Sequence, residues 1–129
     1  MKFLTSKLML YFHQDQIQKY GGSDGLMDQK LLESALAQPQ VSFEGKYLCK
    51  DEFEMAATYG YHLCLNHPFI DGNKRITLLA MYTFLHMNGW HLSSDPKNLY
   101  LHIMALAQHR VKKDELAVFL KNNCNRVEE

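Results

Sequence analysis

Nine consecutive residues near the middle of the chain carry most of its candidate chemistry. Residues 67–75 read His-Pro-Phe-Ile-Asp-Gly-Asn-Lys-Arg. His67 supplies an imidazole that can accept a proton from a hydroxyl near neutral pH. Asp71 supplies a hard carboxylate of the kind that binds Mg²⁺ together with substrate phosphates. Phe69 is expected to point into the core and anchor the loop.

The same nine residues lie where one helix is expected to end and the next to begin. Pro68 cannot continue the first helix, and Gly72-Asn73 provides a tight turn into the second. Unpaired N–H groups and the helix dipole favour an anion at such a helix start. Lys74 and Arg75 fall in the first turn, where acidic residues are normally favoured, so an anionic ligand such as phosphate would explain these two cations.

Two unusually apolar segments flank this loop and must position it. Residues 51–66 and 76–87 are apolar on nearly every side, and a helix of that kind is central, with other helices around it. The segments predict a mainly α domain whose core they form, with residues 67–75 connecting them.

The remaining elements follow from caps and breakers. Thr5 is expected to cap a first helix that runs to about Tyr20, with an apolar stripe of Leu8, Phe12, Ile17 and Tyr20. Residues 41–49, centred on Glu44-Gly45, predict a short β-hairpin, and residues 90–92 a brief extended piece. Three further helices are expected to be capped by Asp28, Asp51 and Asp95, and the last helix is expected to begin at about Lys112.

Length and composition exclude several classes of protein. The 129 residues, 47% of them hydrophobic, suit one globular domain. With 14 basic and 14 acidic side chains, direct nucleic-acid binding is not expected. No apolar run is long enough for a bilayer, and three cysteines without C-x-x-C spacing fit reduced thiols, so a cytoplasmic location without membrane attachment is expected.

Other catalytic classes lack their motifs. The chain contains no G-x-x-x-x-G-K-[S/T] phosphate loop and no G-x-S-x-G nucleophile elbow. Its histidines form no H-E-x-x-H pattern, which argues against a metal-cluster hydrolase. A purely structural turn at residues 67–75 is the remaining simple alternative, and the convergence of five complementary groups there argues against it.

Residues 67–75 resemble the signature H-x-F-x-[D/N]-[A/G]-N-K-R of the Doc (death-on-curing) branch of the Fic/Doc, or Fido, superfamily, without a break. Gly21-Gly22 and residues 28–39, with Leu-Leu-Glu-Ser-Ala-Leu, are similar to the upstream part of Doc-like proteins. The resemblance covers about the whole chain. It implies a single Fic/Doc-like domain over residues 1–129, a Fido-type helical fold with a small β-hairpin flap.

The resemblance also implies roles for individual residues. His67 would be the general base and Asp71 would hold Mg²⁺ on the nucleotide. The nucleotide phosphates would be held by Gly72, Asn73, Lys74 and Arg75. The flap, with Val41, Phe43 and Tyr47, would align a target protein whose segment adds as a strand.

Two departures from Fic enzymes that transfer AMP bear on the reaction. Those enzymes read G-N-G-R-x-x-R, whereas Lys74 stands here in place of the second glycine and Leu78 in place of the second arginine. Doc-type members share both features, which implies transfer of the γ-phosphate of ATP to a protein hydroxyl, with elongation factor Tu as the target and halted translation as the result. Transfer of AMP or UMP, and a non-catalytic partner-binding module, are the alternatives.

A separate inhibitor is implied as well. Many Fic proteins carry an inhibitory helix with the pattern [S/T]-x-x-x-E-[G/N], but the only matching Glu-Gly pair here is Glu44-Gly45, preceded four residues earlier by Gln40. The resemblance therefore implies an antitoxin partner, whose partly disordered C-terminal segment folds into a groove near the active loop.

Overall fold

The computed structural model describes residues 1–127 and has the mainly α architecture that the sequence predicts. The helices are α1 (Ser6–Tyr20), α2 (Gln29–Ala37), α3 (Glu52–Asn66), α4 (Asn73–Met87), α5 (Pro96–Ala107) and α6 (Lys113–Asn122). The short strands are β1 (Ser42–Phe43), β2 (Lys46–Tyr47), β3 (Trp90–Leu92) and β4 (Cys124–Arg126). None of the helices within residues 1–127 combines the length and apolar character needed to cross a bilayer.

Helices α3 and α4 form the centre of the domain, as their apolar sequences predict. They pack against each other along their length, with α6 and α2 on the other sides of α3. Gly60 allows the close approach, because a Cβ at this position would lie 2.5 Å from the Met81 sulfur. Tyr59, Phe84 and Leu63 are among the fully buried side chains of this core. The core lies on both sides of α3 and α4, so the connection between these helices packs against it through the buried Phe69.

The predicted helix starts are confirmed by their caps. The side chains of Thr5, Asp28, Asp51 and Asp95 each accept a hydrogen bond from a backbone N–H in the first turn that follows. The end of α1 at Gly21, with φ of 80°, also matches the prediction. Capping is local chemistry, so the sequence is sufficient to find it.

The predicted buried stripe of α1 is wrong by about one position. Met9 and His13 are the buried residues of this helix, whereas Tyr20 is 70% exposed. Leu8 and Phe12 are half-buried at the flank of the stripe. Apolar periodicity does not identify this buried face, because one of its central residues is a histidine.

Two small antiparallel sheets complete the fold. β1 and β2 form the predicted hairpin, with Ser42 opposite Tyr47 and a turn at Glu44 and Gly45, both at positive φ. β3 pairs with β4 near the end of the chain, and β4 was not predicted. Arg126 of β4 lies over the Trp90 ring, 4.5 Å from its centroid. The three cysteines are free thiols, as expected.

Candidate active site

The motif loop, residues 67–72, begins where α3 ends. His67 is the C-cap of α3 in the left-handed region, with φ of 50° and ψ of 56°, and its N–H donates to the Leu63 carbonyl at 3.3 Å. This conformation turns the chain sharply away from the helix axis and is unusual for a residue other than glycine. The His67 side chain is exposed as a result, at the rim of the cavity described below.

Phe69 and Asn73 lock the loop to the core. Phe69 is fully buried. Its N–H donates to the Asn73 side-chain oxygen at 3.0 Å, and its carbonyl accepts from the Asn73 side-chain nitrogen at 2.9 Å. Asn73 is itself buried. The side chain of Asn73 is therefore occupied by the loop backbone, which leaves its main-chain N–H, at the first position of α4, as the group available to an anion.

The start of α4 has the character of an anion site. Gly72 is the N-cap with φ of 80°, and among residues 1–127 no side chain caps the helix. The Gly72 N–H itself donates to Asp71 at 2.8 Å. The main-chain N–H groups of Asn73, Lys74 and Arg75 form the first turn, where the positive end of the helix dipole attracts negative charge.

Asp71 is held as an ionised carboxylate. Its Oδ2 accepts from the Ser23 N–H at 3.1 Å, and its Oδ1 accepts from the Gly72 N–H. These two backbone donors, helped by the nearby Arg75 guanidinium, lower the pKa of Asp71 below its ordinary value. Within residues 1–127 no cluster of three metal-ligating side chains exists. A single exposed carboxylate fits Mg²⁺ that is otherwise bound by phosphates and water.

A second segment, residues 21–28, clamps the motif loop from the side of α1. The Met27 N–H donates to the Pro68 carbonyl at 2.8 Å, and the Ile70 N–H donates to the Gly25 carbonyl at 3.1 Å. These contacts were not predicted from the sequence. The glycines that precede Asp28 were the available signal, because they permit backbone to approach backbone closely.

Arg75 and Lys74 differ in how far they are fixed. Arg75 donates from Nη2 to the Gly21 carbonyl at 3.1 Å, which leaves its other N–H donors for a ligand. Lys74 is exposed.

Burial raises the pKa of the neighbouring Cys64 thiol, and the Lys74 charge only partly offsets this effect. Cys64 is thus a protonated thiol at neutral pH and a poor candidate nucleophile.

An open cavity of about 530 Å³ joins these groups. It is lined by the end of α3, by residues of the motif loop and the first turn of α4, and by Tyr100, Ala107 and His109. A larger cavity of about 790 Å³ lies between the hairpin and α6 and contains none of residues 67–75. The chemistry therefore points to the smaller cavity as the candidate site.

The hairpin lies at the opposite end of the central helix pair from the motif loop. The Tyr47 ring contacts Phe3 at a centroid distance of 5.7 Å, and Phe3 stacks on Phe84 near the end of α4. Between the hairpin and His67 runs the whole of α3, whose 15 residues span about 22 Å.

The role of the hairpin in aligning a target protein stays a prediction. Val41, Phe43 and Tyr47 are exposed, at 41%, 69% and 46%. None of the three lines the cavity that contains His67. The sequence indicates a hairpin before α3, but the end of α3 on which it lies follows from tertiary packing.

His13 was not predicted as a site residue from the sequence. This residue of α1 is 3% exposed, its ring stacks on Phe69 at 4.0 Å, and its Nε2 lies 2.7 Å from the Asp71 carbonyl oxygen. It precedes Asp71 by 58 residues, so no local pattern connects the two.

Comparison with known proteins shows the family to which the chain belongs. The model of the Fic/DOC family matches residues 3–85. Toxin Doc of Mycolicibacterium smegmatis (strain ATCC 700084 / mc(2)155) is 38% identical over 76 residues, which cover 59% of this chain and 58% of that protein. Protein kinase doc of Escherichia phage P1 is 30% identical over 99 residues, which cover 75% of this chain and 76% of that protein. The chain belongs to the Fic/Doc family, in its Doc branch.

Proposed function

We propose that this protein is a Doc-type toxin that transfers the γ-phosphate of Mg-ATP to a hydroxyl group of a target protein. One observation carries the proposal: the uncapped start of α4, with two cations in its first turn, opens into a cavity that also contains an imidazole and an ionised carboxylate. The names of the two relatives, a toxin and a protein kinase, support the same activity.

The phosphates of ATP would lie against the first-turn N–H groups of α4. Lys74 would act as a mobile point charge, and the Arg75 guanidinium would present its remaining donors. Asp71 would be the protein ligand of Mg²⁺. When bound, this ion neutralises phosphate charge and so favours displacement at phosphorus.

His67 would be the general base. In this step the imidazole takes the proton of the target hydroxyl, the hydroxyl oxygen forms a bond to the γ-phosphorus, and the bond between that phosphorus and the bridging oxygen of ADP breaks. The exposed position of His67 at the cavity rim suits a protein substrate, since a side chain on another molecule can reach it.

The target and the inhibitor are further parts of the proposal. By resemblance to the Doc branch, the target is elongation factor Tu and the consequence is halted translation. The absence of an inhibitory [S/T]-x-x-x-E-[G/N] sequence supports control by an antitoxin, which would make this chain the toxin of a toxin–antitoxin pair.

Labelled ATP tests the reaction directly. Purified protein is incubated with elongation factor Tu, Mg²⁺ and ATP that carries ³²P at either the γ or the α position. With the wild-type protein, we expect the γ label to move to the target. With the His67→Ala or Asp71→Ala variant, each shown to keep the wild-type fold, we expect the label to stay on ATP. Movement of the α label instead would establish transfer of AMP. Growth arrest that survives both substitutions would establish a non-catalytic binding module.

A further inference from the structure

His13 makes one strong polar contact, and it is with the motif loop. The Asp71 carbonyl oxygen can only accept, so the His13 Nε2, 2.7 Å away, carries a proton and donates it. On the other side of the ring, Nδ1 lies 3.8 Å from Asp24 Oδ1, too far for a hydrogen bond, and Asp24 is 66% exposed. The bond to Asp71 is therefore the main polar interaction of a buried side chain.

This bond fixes a peptide plane rather than a single atom. The Asp71 carbonyl and the Gly72 N–H belong to the same planar peptide group. When His13 holds the carbonyl, the direction of the Gly72 N–H is set as well, and that N–H donates to Asp71 Oδ1 at 2.8 Å. Gly72, at φ of 80°, has no Cβ that would resist rotation of this peptide.

The stacking contact gives the His13 ring a fixed orientation. The His13 and Phe69 rings are nearly parallel, 8° apart, with centroids separated by 4.0 Å. Phe69 is in turn held by Asn73. The donor on His13 thus has a fixed direction, and it reaches the loop from a helix that contributes no other side chain to the hydrogen bonds of Asp71.

We propose that His13 is a positioning residue that orients the Asp71 carboxylate through the peptide between Asp71 and Gly72. The proposal rests on the proposed function, in which Asp71 is the protein ligand of Mg²⁺. Loss of the His13 donor frees the peptide to rotate, so that the carboxylate is no longer held where the ion would bind. His13 contacts neither nucleotide nor target in this scheme.

A pair of nearly isosteric substitutions isolates the donor. His13→Gln keeps an N–H donor at a comparable reach, whereas His13→Met has similar size and no donor. The control is His102→Met, because His102 also stacks on an aromatic ring, Phe119, at 3.7 Å, and also contacts a backbone carbonyl, that of Asn98, at 2.8 Å, but lies outside the candidate site.

Two measurements on the full chain are made. The first is amide hydrogen exchange without nucleotide: we expect Gly72 and Ser23 to exchange roughly three- to tenfold faster in His13→Met, as for the loss of one hydrogen bond, and near the wild-type rate in His13→Gln and His102→Met. The second is the Mg²⁺ concentration for half-maximal γ-phosphate transfer, which should rise by a similar factor in His13→Met alone.

The outcomes are distinct. Unchanged exchange and unchanged Mg²⁺ dependence in His13→Met overturn the proposal, and so do equal changes in the Gln and Met variants, since the donor would then be irrelevant. If His13→Met does not fold, His13→Gln decides: wild-type exchange and Mg²⁺ dependence support the role, and loss of either overturns it. A wild-type protein that transfers no phosphate refutes the proposed function, while the exchange measurement still tests His13.

Discussion

Replacement of Asn73 by alanine tests whether this residue holds the loop or holds a phosphate. The substitution removes both hydrogen bonds to the Phe69 backbone, at 3.0 and 2.9 Å, and leaves a buried N–H and a buried carbonyl without partners. A buried polar group left unpaired costs about 1–3 kcal/mol, and two are left here. Because single substitutions rarely cost more than about 4–5 kcal/mol, we expect a loss of about 2–4 kcal/mol in the free energy of unfolding.

The expected loss is large enough to measure by heating. For a chain of 129 residues, 1 kcal/mol corresponds to about 3–5 °C in Tm, so Asn73→Ala should lower Tm by about 6–20 °C in differential scanning calorimetry. Asn123→Ala is the matched control: it removes a single bond, from the Asn123 side-chain nitrogen to the Phe119 carbonyl at 2.8 Å, and should lower Tm by less than about 5 °C.

One result would refute this reasoning. If Asn73→Ala and Asn123→Ala have similar melting temperatures, and Asn73→Ala raises only the KM for ATP, then the Asn73 side chain contacts phosphate directly. The resemblance to the Doc branch implies that role, whereas the hydrogen bonds of the Asn73 side chain indicate a structural one.

Three further predictions concern the loop, the core and the specificity of transfer. Gly22→Ala places a Cβ 2.7 Å from Asp71 Oδ2 and should reduce γ-phosphate transfer strongly. Gly21→Ala, whose Cβ would have nothing within 4 Å, should only lower Tm. Equal activities of the two variants would contradict the role of residues 21–28 in holding the motif loop. Burial, reinforced by the Lys113 ammonium, lowers the pKa of His62 from 6.5 to about 4. As the pH falls, His62 is therefore protonated in the unfolded chain before it is protonated in the folded chain. Urea titrations should show about 1–2 kcal/mol less stability at pH 4 than at pH 7, a figure discounted for the partial exposure of His62. This difference should be smaller in His62→Gln, and an equal difference in that variant would refute the assignment. Lys74→Gly should weaken γ-phosphate transfer and admit transfer of AMP, and no change in either labelled product would show that Lys74 does not select the reaction.

Much of the candidate site was predictable because it is contiguous. Residues 67–75 contain the imidazole, the carboxylate and both cations, and the helix boundaries around them follow from Pro68 and Gly72. The helix caps at Thr5 and Asp51 were predictable for the same reason, since a cap and the N–H that it accepts from are three residues apart.

Tertiary structure decided the features that join distant parts of the chain. β4 exists only through its pairing with β3, more than 30 residues earlier, and its sequence Cys-Asn-Arg has no alternation that marks a strand. The hairpin was predicted correctly as an element, yet its position away from His67 depends on which end of α3 it packs against.

His13 marks the boundary between the two kinds of information. The sequence by itself determined which residues can do chemistry and where helices begin, because these depend on neighbours within one turn. Only the folded chain decided that an imidazole in α1 donates to the carbonyl of Asp71 and that Asn73 turns its side chain inward. Such contacts arise when packing of the buried helices brings distant backbone groups together, and a buried carbonyl or N–H then requires a partner wherever the fold supplies one.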